Sequence, residues 1–253
     1  MSDAGRQAVV LAGGLATRLG ARTAHSPKFL LPVAGRPFAC WLLEALAAAG
    51  FAQAVLCIGH LGEAIRAELG DGARFGLELR YSEDGPRLLG TAGALRRAAG
   101  LLEASFLVTY GDSYLPFDYA SPLVDLGAHP EALGTLAVFR NRDRFDRSNV
   151  RVAGEWVAEY RKPARDAPPD PSFEDIDYGA MALRREAVLE LAPGEPATLE
   201  QLQADLGRRG RLRALRASQC FFEIGSEQGL ARLERVLSSR QRGGEPHDPE
   251  APS

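Results

Sequence analysis

Cysteine is scarce in this chain. The three residues, Cys40, Cys57 and Cys220, are far apart in a sequence of 253. An odd, dispersed set inside apolar runs argues for buried thiols and against a disulfide framework or a zinc site. Long apolar runs are also missing. No segment reaches the length that spans a bilayer, and the first residues lack a basic stretch followed by an apolar core. The expectation is a cytoplasmic protein with no membrane partner. The four histidines, His25, His60, His129 and His247, are scattered, and nothing pairs them with a nucleophile, so triad chemistry has no support. Neither sign of charge is in excess: 30 Lys and Arg meet 33 Asp and Glu, a net charge of −3, so no general attraction to nucleic acid is implied. Two phosphate-binding fingerprints are absent, G-x-x-x-x-G-K-[ST] and G-x-G-x-x-G.

What is present is an ordinary globular composition, 45% hydrophobic and 25% charged, long enough for one large α/β domain or two small ones. The most informative stretch comes early. The apolar run Gln7 to Leu11 leads into A-G-G-L-A-T-R-L, from Ala12 to Leu19, and then P-K-F-L-L-P, from Pro27 to Pro32. An apolar strand ending in a glycine pair, Gly13 and Gly14, brings backbone N–H groups close to a phosphate. Arg18 and Lys28 add positive charge there, one as a planar fork and the other as a point charge. A ligand with several phosphates fits this pattern. A glycine turn after a strand is common by itself, and the two segments together carry the weight.

The following residues alternate between periods. Helical spacing runs from Phe38 to Ala49, with Pro37 at the first helical position and Gly50 at the stop. A strand at 54–58, a helix at 62–69 and a strand at 77–81 follow. Then comes L-L-G-T-A-G-A-L, from Leu88 to Leu95, where Gly90 allows close backbone approach and Thr91 is a candidate N-cap of a helix reaching Gly100. A fourth strand at 106–110 ends at Gly111-Asp112. This alternation predicts a Rossmann-like α/β fold: a mixed, mainly parallel central sheet flanked by helices, with a smaller substrate-covering region from the second half. Ligands of such sheets lie beyond the carboxyl ends of the strands, where Asp112 is the first candidate to hold Mg²⁺.

The second half reads as short strands at 136–140, 150–152, 156–160, 177–183 and 221–224. Helices are expected at 185–191, 199–207 and 227–237. The expected division is a nucleotide half to about residue 115, a substrate-covering half from about 116 to 239, and a disordered tail at 240–253. The run Arg208, Arg209, Arg211, Arg213 and Arg216 reads as a solvated face, because no aromatic residues interleave it.

The segments L-A-G-G-L-A-T-R-L, P-K-F-L-L-P-V-A-G-R-P, L-L-G-T-A-G-A-L, Y-G-D-S and F-F-E-I-G-S occur in the order seen in sugar-1-phosphate nucleotidyltransferases. The chain resembles that family from Gln7 to about Leu237, and its heptose-1-phosphate guanylyltransferase branch most. The resemblance implies attack of a sugar 1-phosphate on the α-phosphorus of a nucleoside triphosphate, with GTP favoured and uridylyl or thymidylyl transfer as the alternative. A nucleotide-sugar sensor without catalysis is the alternative of another class. By the same resemblance Leu11, Ala12, Gly13, Gly14, Gly90 and Thr91 would line the nucleotide, and Arg18 and Lys28 would act on its phosphates. Gly93, Lys162, Asp177 and Gly179 would hold the sugar phosphate, and Asp112 and Glu223 would hold Mg²⁺. A monomer or homodimer is expected. Four positions depart from the family pattern: Ala16 for a loop glycine, Arg161 for Glu, Asp177 for Asn and Glu223 for Asp.

Overall fold

The computed structural model describes residues 5–14, 26–59, 61–85, 87–162 and 168–241. Arg18, Ala16, His25, His60 and the expected tail from residue 242 onward lie outside the described residues. Among the described residues no helix is long and apolar enough to cross a membrane.

The strand β1 (Arg6–Leu11) pairs in parallel with β4 (Phe51–Ile58) on one side and β6 (Ser105–Tyr110) on the other, and β5 (Glu78–Glu83) joins β4. Alternate β1 side chains enter different cores. Ala8 and Val10 face α1 (Phe38–Ala48), α2 (Gly62–Leu69) and α7 (Glu227–Gln241), whereas Val9 faces α3 (Gly90–Ala98), α5 (Arg185–Leu189) and α6 (Leu199–Arg208). All three side chains are fully buried. The period of two therefore puts helices on both faces of one sheet.

The second half extends the same sheet. Strands β8 (Gly134–Arg140), β9 (Val150–Ala153), β10 (Trp156–Tyr160), β11 (Asp175–Arg184) and β12 (Leu212–Ala217) complete the order β5-β4-β1-β6-β11-β8-β12-β10-β9. Parallel pairing holds from β5 to β6. Beyond β6 it is antiparallel except between β8 and β12. Short pairs lie outside this sheet: β2 (Pro32–Val33) with β3 (Arg36–Pro37), and β7 (Ser113–Tyr114) with β13 (Phe222–Glu223).

Four sequence expectations are corrected. The arginine run is not one solvated face, because its second half is β12. Arg213 is 5% exposed, donates to Asp125 at 2.9 and 3.0 Å, and lies over Trp156. Arg216 pairs with the buried Asp175, while Arg208 and Arg209 do form surface pairs. Alternation of Leu212 and Ala214 with the arginines is a strand signal that the charge density concealed. Helix α4 (Ser121–Ala128) and strand β7 were not anticipated, since they are short, whereas β13 falls within the strand expected at 221–224. Helix α7 runs on to Gln241, past the expected end of the folded chain at 239. Pro37 sits at the N-cap, so α1 starts at Phe38.

Candidate active site

The parallel strands deliver their carboxyl ends to one place. Beyond Leu11, Ile58, Glu83 and Tyr110, a cavity of about 330 Å³ is lined by Leu11, Ala12, Gly13, Gly14, Lys28, Asp84, Gly90, Thr91 and Asp112, among others. The turns at its base are tied together by main-chain bonds from Ala12 N to the Cys57 carbonyl at 2.9 Å and from Gly111 N to the Leu11 carbonyl at 3.0 Å. A β-carbon on Gly13 would stand 3.2 Å from the Gly59 nitrogen, so the exits of β1 and β4 approach closely there.

Lys28 is fixed by its neighbours in sequence. Phe29, Leu31 and Val33 are buried in the core under α1, and the short 3₁₀ turn Lys28–Leu30 then aims the lysine into the cavity. Its Nζ lies 2.6 Å from Asp112 Oδ2. The Asp112 carbonyl accepts from Ile224 N at 2.9 Å, and β7 pairs with β13 so that Ser113 faces Glu223. Glu223 on β13 and Asp112 in the turn just before β7, 111 positions apart by number, are thereby brought to adjoining segments. Gly225 completes the junction, since a β-carbon there would come within 2.9 Å of Lys28 Nζ. Among the described residues no three His, Cys, Asp or Glu side chains converge as a metal cage. Two carboxylates offering hard oxygens do fit Mg²⁺, which keeps its remaining positions for water and substrate phosphates.

A second cavity, about 570 Å³, opens on the other side of Tyr110, which lines both. Its lining includes Lys162, Asp177, Gly179 and Glu223. Lys162 Nζ is 2.6 Å from Glu200 Oε1 in the first turn of α6. Asp177 is the hub of a polar network. Its Oδ1 accepts from Gly179 N at 2.9 Å, and its Oδ2 accepts from Gln203 Nε2 at 2.9 Å and Tyr160 Oη at 3.1 Å. Burial pushes the Asp177 carboxyl above its ordinary range, against the pull of these three donors. Asn149 supports the network by accepting from Asp177 N at 2.8 Å. Gly179 takes φ +96° where the β11–β8 ladder slips, a conformation a side chain would resist. Arg161 is turned away from the cavity, paired with Asp170 and stacked on Phe173.

Two expected roles change. Gly93 lines neither cavity. It is buried where α3 meets the loop before α6, and its N–H donates to the Ala197 carbonyl at 3.1 Å. Thr91 does not cap its own helix. Its hydroxyl accepts from Leu199 N at 2.7 Å, the first residue of α6. Asp84, Tyr110, Asn149 and Glu200 were missed by sequence reading. Asp84 had the same signal as Asp112, a carboxylate just past a strand, but no motif drew the eye to it. Burial raises the Asp84 carboxyl, opposed by Arg97, and burial pushes the neighbouring Cys57 thiol up to about 12.

The chain belongs to the MobA-like NTP transferase domain family, whose model matches residues 8–225. It is 38% identical over 238 residues to a glucose-1-phosphate thymidylyltransferase of Streptomyces griseus, covering 91% of this chain and 66% of that protein. It is 31% identical over 196 residues to a mannose-1-phosphate guanylyltransferase of Mycobacterium tuberculosis, covering 77% of this chain and 53% of that protein. The chain thus spans between half and two-thirds of the length of these two relatives. Its fold matches the crystal structure of HddC from Yersinia pseudotuberculosis with a TM-score of 0.76 at 19% identity, over 92% of this chain and 99% of that one. The resemblance to sugar-1-phosphate nucleotidyltransferases read from the motifs is borne out at the level of the family.

Proposed function

We propose that this chain transfers a nucleotidyl group from a nucleoside triphosphate to a sugar 1-phosphate, with GTP as donor and a heptose or related sugar as acceptor. The observation that carries the reading is the meeting of two cavities at Tyr110, with Lys28, Asp112 and Glu223 at their junction. A transfer between two phosphorylated substrates needs two sites that touch, and it needs charge of the right sign where they do.

In this reading the nucleotide occupies the first cavity, with its phosphates at the Gly13-Gly14 turn. Arg18 holds the β- and γ-phosphates. Lys28 leaves Asp112 for the α-phosphate as negative charge gathers there. The acceptor lies in the second cavity among Lys162, Asp177 and Gly179. An oxygen of its phosphate forms a bond to the α-phosphorus, and the bond from that phosphorus to the bridging oxygen of the β-phosphate breaks, releasing pyrophosphate. No covalent enzyme intermediate is needed, because the chain's contribution is positioning and charge neutralisation. Mg²⁺, held by Asp112 and Glu223, would cancel further phosphate charge.

Asp84 supports guanine. Its carboxylate lines the first cavity beside the apolar surface of Leu88, Ala94 and Cys57. Guanine presents two adjacent donors, N1–H and the exocyclic N–H, which suit the two oxygens of a carboxylate. Uracil and thymine present one N–H between two carbonyls, which a carboxylate repels. The test is pyrophosphate release with GTP, UTP, dTTP, ATP and CTP over a panel of sugar 1-phosphates with Mg²⁺. GTP is expected to be preferred, and Asp84→Ala is expected to reduce the GTP-to-UTP ratio by about tenfold or more, as for loss of a bidentate base contact. Preference for UTP or dTTP would reassign the base. Pyrophosphate release from none of the pairs would overturn the reaction.

A further inference from the structure

The start of α3 serves two neighbours at once. Gly90, Thr91 and Ala94 line the first cavity. The same turn grips the chain that leads into α6. Ala197 N donates to the Leu89 carbonyl at 2.9 Å, and the Ala197 carbonyl accepts from Ala92 N at 3.0 Å and Gly93 N at 3.1 Å. Two glycines permit this approach. A β-carbon on Gly90 would lie 2.6 Å from the Ala197 carbonyl oxygen, and one on Gly93 would lie 3.1 Å from the Glu195 carbonyl oxygen. A side chain completes the contact: Thr91 Oγ1 accepts from Leu199 N at 2.7 Å, across 108 positions of sequence.

That bond falls on the first residue of α6. A helix leaves its first four N–H groups without partners of its own. Here Gln201 N is satisfied from within, by Thr198 Oγ1 in a capping box, whereas Leu199 N is satisfied by Thr91 from another helix. The capping box shapes the helix start, and Thr91 fixes where that start lies against α3. Leu199 and Leu202 also share a core with Ala92 and Leu95, but apolar packing is non-directional, so the hydrogen bond sets the register. What α6 carries next is polar. Glu200 lines the second cavity and holds Lys162 Nζ at 2.6 Å. The Lys162 side chain is 73% exposed and relies on that partner for its position. One turn further on, Gln203 donates to Asp177 Oδ2 at 2.9 Å. A hydroxyl on a residue of the first cavity thus anchors the helix that orders the second.

We propose that Thr91 is a positioning residue for the acceptor. Its hydroxyl places the first turn of α6, and with it Glu200, Lys162 and the bond from Gln203 to Asp177, to receive a sugar phosphate. Recognition of the nucleotide falls to other groups of the first cavity. This rests on the sugar-phosphate reading of the second cavity.

The test is calorimetric titration of the full chain, with Mg²⁺, against GTP and separately against glucose 1-phosphate and mannose 1-phosphate. Thr91→Val removes the accepting oxygen and leaves the Leu199 N–H without it. This is expected to weaken binding of the sugar phosphate that the wild type takes by about tenfold, while GTP affinity stays within about twofold. Thr91→Ser keeps a hydroxyl and is expected to restore the sugar-phosphate affinity, which rescue a purely space-filling role would not give. Thr91→Ala adds no bulk and is expected to repeat the split, so the outcome does not hang on the fold of one variant. Circular dichroism verifies that each is folded. Sugar-phosphate affinity unchanged in Thr91→Val and Thr91→Ala would overturn the inference and leave nucleotidyl transfer standing. So would a GTP affinity that falls as far as the sugar-phosphate affinity. A wild type that binds GTP and neither sugar phosphate would sink the acceptor reading together with the inference.

Discussion

Lys28 Nζ and Asp112 Oδ2 stand 2.6 Å apart across 84 positions of sequence, and the Asp112 backbone is bonded to Ile224. Three distant segments therefore meet at one ammonium–carboxylate pair. The pair is partly open to solvent, with side chains 19% and 40% exposed, so its contribution to stability is about 1 kcal/mol or less. Lys28→Ala and Asp112→Asn should accordingly shift melting by no more than a few degrees. Each should lower kcat/KM for pyrophosphate release by about a hundredfold or more, the scale for losing a group aimed at developing charge. Unchanged turnover in Asp112→Asn would remove it from the metal site.

Gly90 and Gly14 should part company on mutation to alanine. Gly90 has φ +71°, and a β-carbon would lie 2.6 Å from the Ala197 carbonyl oxygen, whereas nothing lies within 4 Å of one on Gly14. Gly90→Ala should cost about 2 kcal/mol or more by strain and overlap. Gly14→Ala should leave melting within a degree or two and weaken nucleotide binding. Denaturant unfolding beside nucleotide titration checks both halves of this contrast.

Asp177 is destabilised as an anion by burial, so its folded pKa lies above the ordinary value near 3.9. A carboxyl with a raised folded pKa binds its proton more tightly in the native state. Stability therefore falls as pH rises from the unfolded value through the folded one, and stays lowered above it. Asp177→Asn should melt higher than the wild type at pH 7.5, and the gain should vanish near pH 3.5. A gain independent of pH would mean that the effect is not ionisation.

Arg213→Ala should be among the most damaging changes outside the site. It would leave Asp125, whose side chain is only 16% exposed, without its bidentate partner, at a cost of about 3 kcal/mol. Burial pushes the Asp125 carboxyl upward, but the bonds from Arg213 and Thr135 hold it below the ordinary range. That contribution is present above about pH 4 and is lost as pH falls through the lower folded value. The difference in unfolding free energy between wild type and variant should shrink in acid.

Much of this was legible from local pattern. The apolar runs at β1, β4 and β6 and the helical spacing of α1 follow from side-chain period, which does not depend on distant partners. Gly13, Gly14, Lys28 and Asp112 stood out because each follows or flanks such an element. Arg213 and Thr91 misled for the opposite reason. A strand of alternating Leu and Arg looks solvated until Asp125 is known to lie opposite, and a threonine before a helix looks like its cap until another helix needs the hydroxyl.

By itself the sequence determined the α/β alternation, the anion-binding turn after β1 and the family, because these rest on residues close together in the chain. Tertiary structure alone decided which carboxylates share a site and where the second cavity lies. It also decided that Asp177 serves a buried network and that the Asn141–Ser148 loop lines the second cavity with Arg142 and Asp143 in left-handed conformations. Those features are made by contacts between residues tens of positions apart. Chain connectivity leaves such pairings open, and burial and hydrogen bonding close them only when the sheet is assembled.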